Sequence, residues 1–188
     1  MAKESASKRT YPWTTDIKKG QVTLRLMTPK DGKTMLAFTQ SLPEEDLVFL
    51  TVDITQPGIV DRWAHSLESG RIKVIIAEAN GQFVGYGSLS RSEPFWTRHL
   101  GEIQIAINPE YRGQGLGHIL ANEVYAIAQE QGLQKVIARM AAGQQGAVQV
   151  FESLGFRAEA LLADYVMDRE GRTHDLIVMS YDLTGLTE

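Results

Sequence analysis

Three glycines at alternate positions mark the segment of this chain best suited to chemistry. Gly113, Gly115 and Gly117 lie within residues 108–118, whose sequence is Asn-Pro-Glu-Tyr-Arg-Gly-Gln-Gly-Leu-Gly-His. Residues without a Cβ expose backbone N–H groups, and at the start of a helix such donors bind a phosphate or pyrophosphate. No Gly-Lys-Ser/Thr follows, and the third glycine comes one residue too early for the dinucleotide-binding pattern. Two interpretations therefore stay open: an anion site, or a tight turn that uses glycine for packing.

A strand and a helix flank this segment and position it. Residues 102–107 alternate, with isoleucines on one face and Glu102, Gln104 and Ala106 on the other. Beyond the glycines, apolar residues recur at helical spacing until Gly132 ends the pattern. These residues are Leu116, Leu120, Val124 and Ile127. The glycine segment is therefore predicted to connect a strand to an amphipathic helix.

The remaining patterns predict one domain of the mixed α/β class. Asn80-Gly81 is the dipeptide preferred in a tight hairpin turn. Helices are expected after Thr28-Pro29, after Pro57 and over 147–154, and strands over 22–26, 74–77, 83–86, 135–140, 156–167 and 173–182. Strands alternate with helices in the middle of the chain and pair antiparallel elsewhere, so we expect a mixed sheet flanked by helices.

Length and composition exclude several classes of protein. The 188 residues favour one domain, which we place at 20–184, with a flexible tail over 1–19 and a short one over 185–188. No cysteine is present, which excludes disulfides, thiolate metal sites and a cysteine nucleophile. The net charge of −4 argues against nucleic acid as a partner, and no apolar run approaches the length of a membrane span. A cytoplasmic protein is the expectation.

Two blocks of the chain resemble the GNAT superfamily of acyl-CoA-dependent N-acyltransferases. The first, Arg-x-x-Gly-x-Gly, consists of Arg112, Gly115 and Gly117. The second, residues 144–156, is similar to the family helix Asn-x-x-Ala-x-x-x-Tyr-Glu-x-x-Gly-Phe. The resemblance covers roughly residues 20–183. It implies a GNAT fold in one α/β (α+β) domain with a mostly antiparallel sheet, acetyl-CoA as cosubstrate and no metal.

The resemblance also implies which residues contact acetyl-CoA. The backbone of one group would pair with the pantetheine arm as an added strand does, and the amides of a second would hold the pyrophosphate. The first group is Ile105, Ala106 and Ile107, and the second is Arg112, Gly113, Gln114, Gly115, Leu116, Gly117 and His118. Further contacts are implied from Gln144, Ala147 and Phe151 on the next helix.

Glu102 is the expected catalytic residue. Family members that act on amines often carry a Glu near the start of this strand. An amine with an ordinary pKa of about 10.4 must lose a proton before it attacks a thioester, and a carboxylate accepts that proton directly or through a water. The alternative is a strand-edge carboxylate that faces solvent or pairs with Arg98 or Arg139.

Two residues depart from the family pattern. Phe151 stands where many members have a Tyr that protonates the leaving thiolate, so this role is absent here or belongs to another residue. Tyr125 and Tyr165 are the alternatives, although packing roles are favoured for both. Gln144 replaces the usual Asn and keeps an amide on a longer side chain.

The resemblance implies direct acetyl transfer to an amine, and the lack of cysteine fits this mechanism. The stretch from the first strand to Asp53, with Glu102, is similar to bacterial protein-lysine acetyltransferase domains, so a protein lysine is the preferred acceptor. A small-molecule amine is the nearest alternative, and a non-catalytic acyl-CoA sensor is another. A homodimer is compatible with the sequence, which does not determine the oligomeric state.

Overall fold

The computed structural model describes residues 10–47, 55–92, 94–168 and 170–184, which form eight strands and five α-helices. Residues 1–9 and 185–188 of the expected tails, and the end of the stretch up to Asp53, lie outside these ranges. The strands are β1 (Trp13–Ile17), β2 (Gly20–Leu26), β3 (Ile72–Ala79), β4 (Gln82–Arg91), β5 (Leu100–Ile107), β6 (Lys135–Ala141), β7 (Arg157–Met167) and β8 (Thr173–Asp182). The helices are α1 (Gly32–Gln40), α2 (Glu44–Leu47), α3 (Pro57–Glu68), α4 (Leu116–Glu130) and α5 (Gln145–Ser153).

The eight strands form one sheet in the order β1-β2-β3-β4-β5-β6-β8-β7. All neighbouring pairs are antiparallel except β5 and β6, which are parallel. α4 and α5 bury Leu116, Leu120 and Phe151 against one face, and α1 and α3 bury Phe38 and Trp63 against the other. The predicted fold class, a mostly antiparallel sheet flanked by helices, is confirmed.

The N-terminal boundary differs from the predicted one. Residues 13–17, which we expected in the flexible tail, form β1 and pair with β2 over their whole length. Trp13 and Ile17 pack against the core, as does Tyr11 before them. The segment is ordered by this burial, because Trp13, Thr15 and Ile17 alternate with the exposed Thr14 and Asp16.

The predicted hairpin at Asn80-Gly81 joins β3 to β4. Both residues have positive φ, 51° for Asn80 and 76° for Gly81, as a type I′ turn requires. The prediction for β5 is also confirmed, because Ile103 lies in the core beneath α4 whereas Ala106 packs on the opposite face. None of the helices in the described part of the chain has the length and apolar composition needed to cross a bilayer.

Candidate active site

β5 and β6 diverge in the middle of the sheet. Their parallel pairing consists of Leu100 with Lys135, Gly101 with Val136 and Glu102 with Ile137. Beyond Glu102, β5 continues to pair with β4 as far as Ile107, while β6 continues with β8. In the described residues, the edge of β5 that faces β6 therefore has no strand partner from Ile103 onward.

The glycine segment follows directly at the end of this open edge. The side chain of Asn108 accepts a hydrogen bond from the Glu110 amide at 3.0 Å and caps a 3-10 turn over Pro109–Tyr111. Gly113 and Gly115 then adopt φ values of 69° and 92°, which residues with a Cβ rarely adopt. Glycine at these two positions is therefore required by the path of the backbone.

The start of α4 presents unpaired N–H donors. Gly115 is its N-cap residue and, as a glycine, has no side chain to cap the helix. The amides of Leu116, Gly117 and His118 have no partner within the helix because the first turn has no preceding carbonyls. The dipole of this 15-residue helix adds positive potential at the same place. An anion with several oxygens fits these donors.

Gly117 differs from the other two glycines of the segment, because the fold itself does not require a glycine at this position. A Cβ at Gly117 would lie 3.5 Å from Ile107 Cδ1 and 3.8 Å from Val150 Cγ1, which are ordinary contact distances. Unlike Gly113 and Gly115, this residue does not have a positive φ. Neither the backbone conformation nor the packing of the described residues requires glycine here, and the missing side chain leaves room for a group bound at the neighbouring amides. The residues present thus fit a pyrophosphate.

Arg112 departs from its expected role. Its amide donates to the Pro109 carbonyl at 3.2 Å and so is not among the open donors expected from the sequence. Its guanidinium forms an ion pair with Asp46 of α2 and donates through Nε to the Ile107 carbonyl at 3.2 Å. Arg112 therefore anchors the end of β5 to α2. Asp46 carries no local sequence signal for this contact, which arises from the tertiary fold.

The three residues expected from α5 lie beside the start of α4. Gln144 is the N-cap residue of α5, and Ala147 packs against the core. Phe151 is buried, with its ring edge-on to Phe156 at 4.9 Å between centroids. His118 Nε2 lies 2.9 Å from the Ser153 hydroxyl and joins the two helices.

Glu102 lies at the point where β5 and β6 separate. Its carboxylate is 3.3 Å from Nη1 of Arg139 on β6, and its side chain is 31% exposed. Of the two arginines suggested by the sequence as partners, only Arg139 forms this contact; Arg98 instead donates to the Phe95 carbonyl. The ion pair agrees with the alternative role considered for Glu102, a strand-edge carboxylate paired with an arginine. Its partial exposure also leaves the carboxylate accessible to an acceptor amine, as the catalytic role requires.

A buried tyrosine lies on the same face of the sheet as Glu102. Tyr86 is fully buried and donates a hydrogen bond to Gln104 Oε1 at 3.3 Å. Burial raises the pKa of the Tyr86 hydroxyl, so the group stays protonated at neutral pH. Tyr86 pairs directly with Ala106 across β4 and β5. It therefore orients Gln104, two residues along β5 from Glu102.

The two tyrosines considered as replacements for the family acid occupy different environments. Tyr125 stacks on Phe156 and Tyr181, with centroids 5.7 and 5.1 Å away. Its hydroxyl is buried with no hydrogen-bond partner in the described structure, and burial raises its pKa. Tyr165 lies on the edge strand β7 and is 65% exposed. The packing role expected for Tyr125 agrees with its stacked environment, whereas the exposure of Tyr165 contradicts the packing role expected for that residue.

The geometry thus combines an open strand edge, a set of unpaired amides and an accessible carboxylate along one strand and its following turn.

Comparison with known proteins also indicates an acyl-CoA-dependent acetyltransferase. The model of the acetyltransferase (GNAT) family matches residues 39–156. L-amino acid N-acyltransferase MnaT of Escherichia coli is 28% identical over 127 residues, which are 67% of this chain and 73% of that protein. The putative phosphinothricin acetyltransferase YwnH of Bacillus subtilis is 25% identical over 167 residues, 87% of this chain and all of that protein.

A solved structure shares the fold. The structure of yncA, a putative acetyltransferase from Salmonella typhimurium with its cofactor acetyl-CoA, matches with a TM-score of 0.75 and 22% identity, over 89% of this chain and 96% of that one. The expected enzyme class, acyl-CoA-dependent N-acetyltransferases, is confirmed at the level of the family. Because the family model matches more than half of its residues, the chain belongs to the acetyltransferase (GNAT) family.

Proposed function

We propose that this protein transfers an acetyl group from acetyl-CoA to an amine, with Glu102 as the base. The observation that carries the proposal is the position of Glu102 at the last pair between β5 and β6. The open edge of β5 begins there and leads to the unpaired amides at the start of α4. A ligand with an amide-bearing arm and a pyrophosphate fits this edge and these amides, so that the reactive end of its arm lies near Glu102.

The residues of the chain have three tasks in this proposal. The backbone groups of Ile105 to Ile107 that bind neither β4 nor Arg112 hold the pantetheine arm, and the amides of Gly113 to His118 hold the pyrophosphate. Gln144, Ala147 and Phe151 line the same end of the site from α5. Acetyl-CoA supplies an acetyl group activated as a thioester. Glu102 accepts a proton from the acceptor ammonium, directly or through a water, and so generates the neutral amine.

The transfer step balances without a covalent enzyme intermediate. The acceptor nitrogen forms a bond to the acetyl carbon while the carbon–sulfur bond breaks and its electron pair leaves with sulfur. The second amine proton goes to the thiolate or to solvent. No side-chain donor at position 151 is needed for this, because a thiol pKa of about 8.5 makes the thiolate a good leaving group.

A small-molecule amine is the acceptor class that we propose in place of a protein lysine. The two relatives are named for an L-amino acid and for phosphinothricin, and neither name specifies a lysine side chain. The protein-lysine acceptor predicted from the sequence is the competing outcome of the test. The cytoplasmic location and the homodimer stay predictions.

The test measures thiol release from acetyl-CoA with three panels of acceptors: amino acids, polyamines and a lysine-containing protein. Turnover with a small amine and none with the protein supports the proposal. Turnover with the protein alone selects lysine acetylation. Tight CoA binding by calorimetry without turnover on any acceptor would overturn the enzymatic proposal and favour a sensor.

A further inference from the structure

We infer that Arg139 binds a carboxylate of the acceptor, so that the substrates of this enzyme are amines that also carry a carboxylate, as α-amino acids do. The inference rests on the proposed function, because it takes Glu102 as the residue that receives the acceptor amine. It adds the recognition of the rest of the acceptor molecule.

Arg139 lies on β6 two residues beyond Ile137, the residue that pairs with Glu102. Nη1 of its guanidinium is 3.3 Å from Oε2 of Glu102, and the Arg139 side chain is 45% exposed. No other polar partner of this guanidinium occurs in the described part of the chain. Arg139 thus contacts the proposed base through one nitrogen, and its other N–H groups, which have no partner among the described residues, are available to a bound acceptor.

The nearest other cation on this face of β6 is already neutralised. Lys135 lies four residues before Arg139, with its ammonium 3.0 Å from the carboxylate of Glu159. The same Glu159 oxygen accepts a hydrogen bond from Ser180, and together the two contacts lower the pKa of Glu159. Lys135 therefore has an ion-pair partner outside the site, whereas among the described residues Arg139 pairs only with Glu102, the residue proposed to receive the substrate.

The Glu102–Arg139 pair is complementary to a zwitterion. An acceptor ammonium that approaches Glu102 also approaches the guanidinium at 3.3 Å from it. For a polyamine or a lysine side chain, this brings two positive charges together and disfavours binding. An α-amino acid presents its carboxylate beside its ammonium, and a guanidinium binds a carboxylate through two parallel N–H bonds. Each charge of the pair then meets an opposite charge of the acceptor.

Binding of the carboxylate also prepares the base. A guanidinium held by the acceptor carboxylate is drawn away from Glu102, which frees that carboxylate to accept a proton. The acceptor itself thus completes the arrangement in which its nitrogen becomes nucleophilic.

The experiment compares each amino acid with its carboxamide, which keeps the amine and side chain but has no negative charge. In the wild type, we expect kcat/KM for the amino acids to exceed that for the amides at least tenfold. In Arg139→Gln this ratio should fall to within threefold of one, mainly through loss of activity on the acids. Calorimetry with CoA present, where no transfer occurs, should show the same loss of amino-acid binding.

The matched control is Lys135→Gln, which removes a cation from the same face of the same strand but not from the Glu102 pair. It should leave the acid-to-amide ratio unchanged. An unchanged ratio in Arg139→Gln, or equal losses on acids and amides, overturns the inference and makes Arg139 a structural partner of Glu102. A wild type that acetylates amides or polyamines as well as amino acids also overturns it, while leaving the proposed acetyl transfer intact. Failure of the proposed function itself is separate, because then no amine of any class releases thiol.

Discussion

The hydroxyl of Tyr11 donates a hydrogen bond to the carboxylate of Glu123 at 2.6 Å, across 112 residues of sequence. Glu123 lies within α4 and is only 2% exposed. The indole N–H of Trp13 donates to the same oxygen at 3.2 Å. A buried carboxylate is stable only with such partners, so the N-terminal segment and α4 depend on one another. The helix whose start forms the proposed pyrophosphate site is thereby attached to β1.

Tyr11→Phe should destabilise the protein by about 2 kcal/mol, because it leaves a buried carboxylate oxygen with one fewer donor. The measurement is the free energy of unfolding from denaturant titration. Tyr165→Phe removes a hydroxyl from an exposed residue of β7 and should have no measurable effect. Equal stability of Tyr11→Phe and the wild type would show that the contact contributes nothing.

Glu102→Gln should lower turnover at saturating acetyl-CoA at least tenfold, because the amide cannot accept the proton of the acceptor ammonium. The Kd for CoA should change less than twofold, since the side chain lies away from the amides of α4. Steady-state thiol release and calorimetry measure the two quantities. Unchanged turnover on a good acceptor removes Glu102 from the mechanism.

Gly117→Ala should weaken CoA binding at least tenfold without destabilising the fold. The added methyl meets only ordinary contacts with Ile107 and Val150, so the expected loss comes from the pyrophosphate that we propose to lie against the amides of this turn. Gly58→Ala is the control. Gly58 is the second residue of α3, as Gly117 is of α4, and a Cβ added at Gly58 would meet no atom within 4 Å. Both variants should keep or raise the melting temperature, since Ala favours a helix more than Gly does. An unchanged Kd for CoA in Gly117→Ala would contradict the pyrophosphate site.

Asp31→Asn should destabilise the protein at neutral pH and lose this effect in acid. The Arg25 guanidinium binds both Asp31 oxygens, at 2.9 and 2.7 Å, and with the Thr28 hydrogen bonds it lowers the Asp31 pKa from 3.8 to about 2. A pKa lower in the folded state means that the stabilisation is complete above about pH 4 and disappears as the pH falls towards 2. The expected difference at pH 7 is about 1–2 kcal/mol after allowance for solvent screening.

Denaturant titrations of Asp31→Asn and the wild type from pH 7 to pH 2 test this dependence. Asp16→Asn is the control, because Asp16 is exposed on β1 and has no polar partner among the described residues. Its stability should follow that of the wild type at every pH. A constant difference between Asp31→Asn and the wild type across the range would contradict the assigned cause.

The local patterns of the sequence predicted most elements but not their long-range partners. Asn80-Gly81 and the alternation in β5 determine their structures through neighbours in the chain, so both were predicted correctly. β1 was missed because five residues after a proline give a weak signal. Its alternation of Trp13 and Ile17 with polar residues becomes decisive only when β2 is available to pair with it.

The side-chain contacts of the site depend on tertiary structure and were harder to predict. Arg139 was one of two suggested partners of Glu102, and the register between β5 and β6 decides between them. The ion pair of Arg112 with Asp46 has no signal in the sequence. Glu123 does carry a signal in the sequence: it lies three residues after Leu120 and four before Ile127, within the apolar stripe of α4, where a charge needs a buried partner.

The divergence of β5 from β6 places unpaired backbone groups inside the sheet, in addition to those at its outer edges β1 and β7. Unpaired backbone groups at the outer edges of a sheet invite pairing with other chains. Here an unpaired edge lies inside the sheet, between two strands that belong to the same eight-stranded array. A narrow ligand can enter from the open end, whereas a strand of a second protein would have to separate β6 and β8 from the rest of the fold. The same geometry thus offers backbone hydrogen bonds to a small molecule and withholds them from other polypeptides.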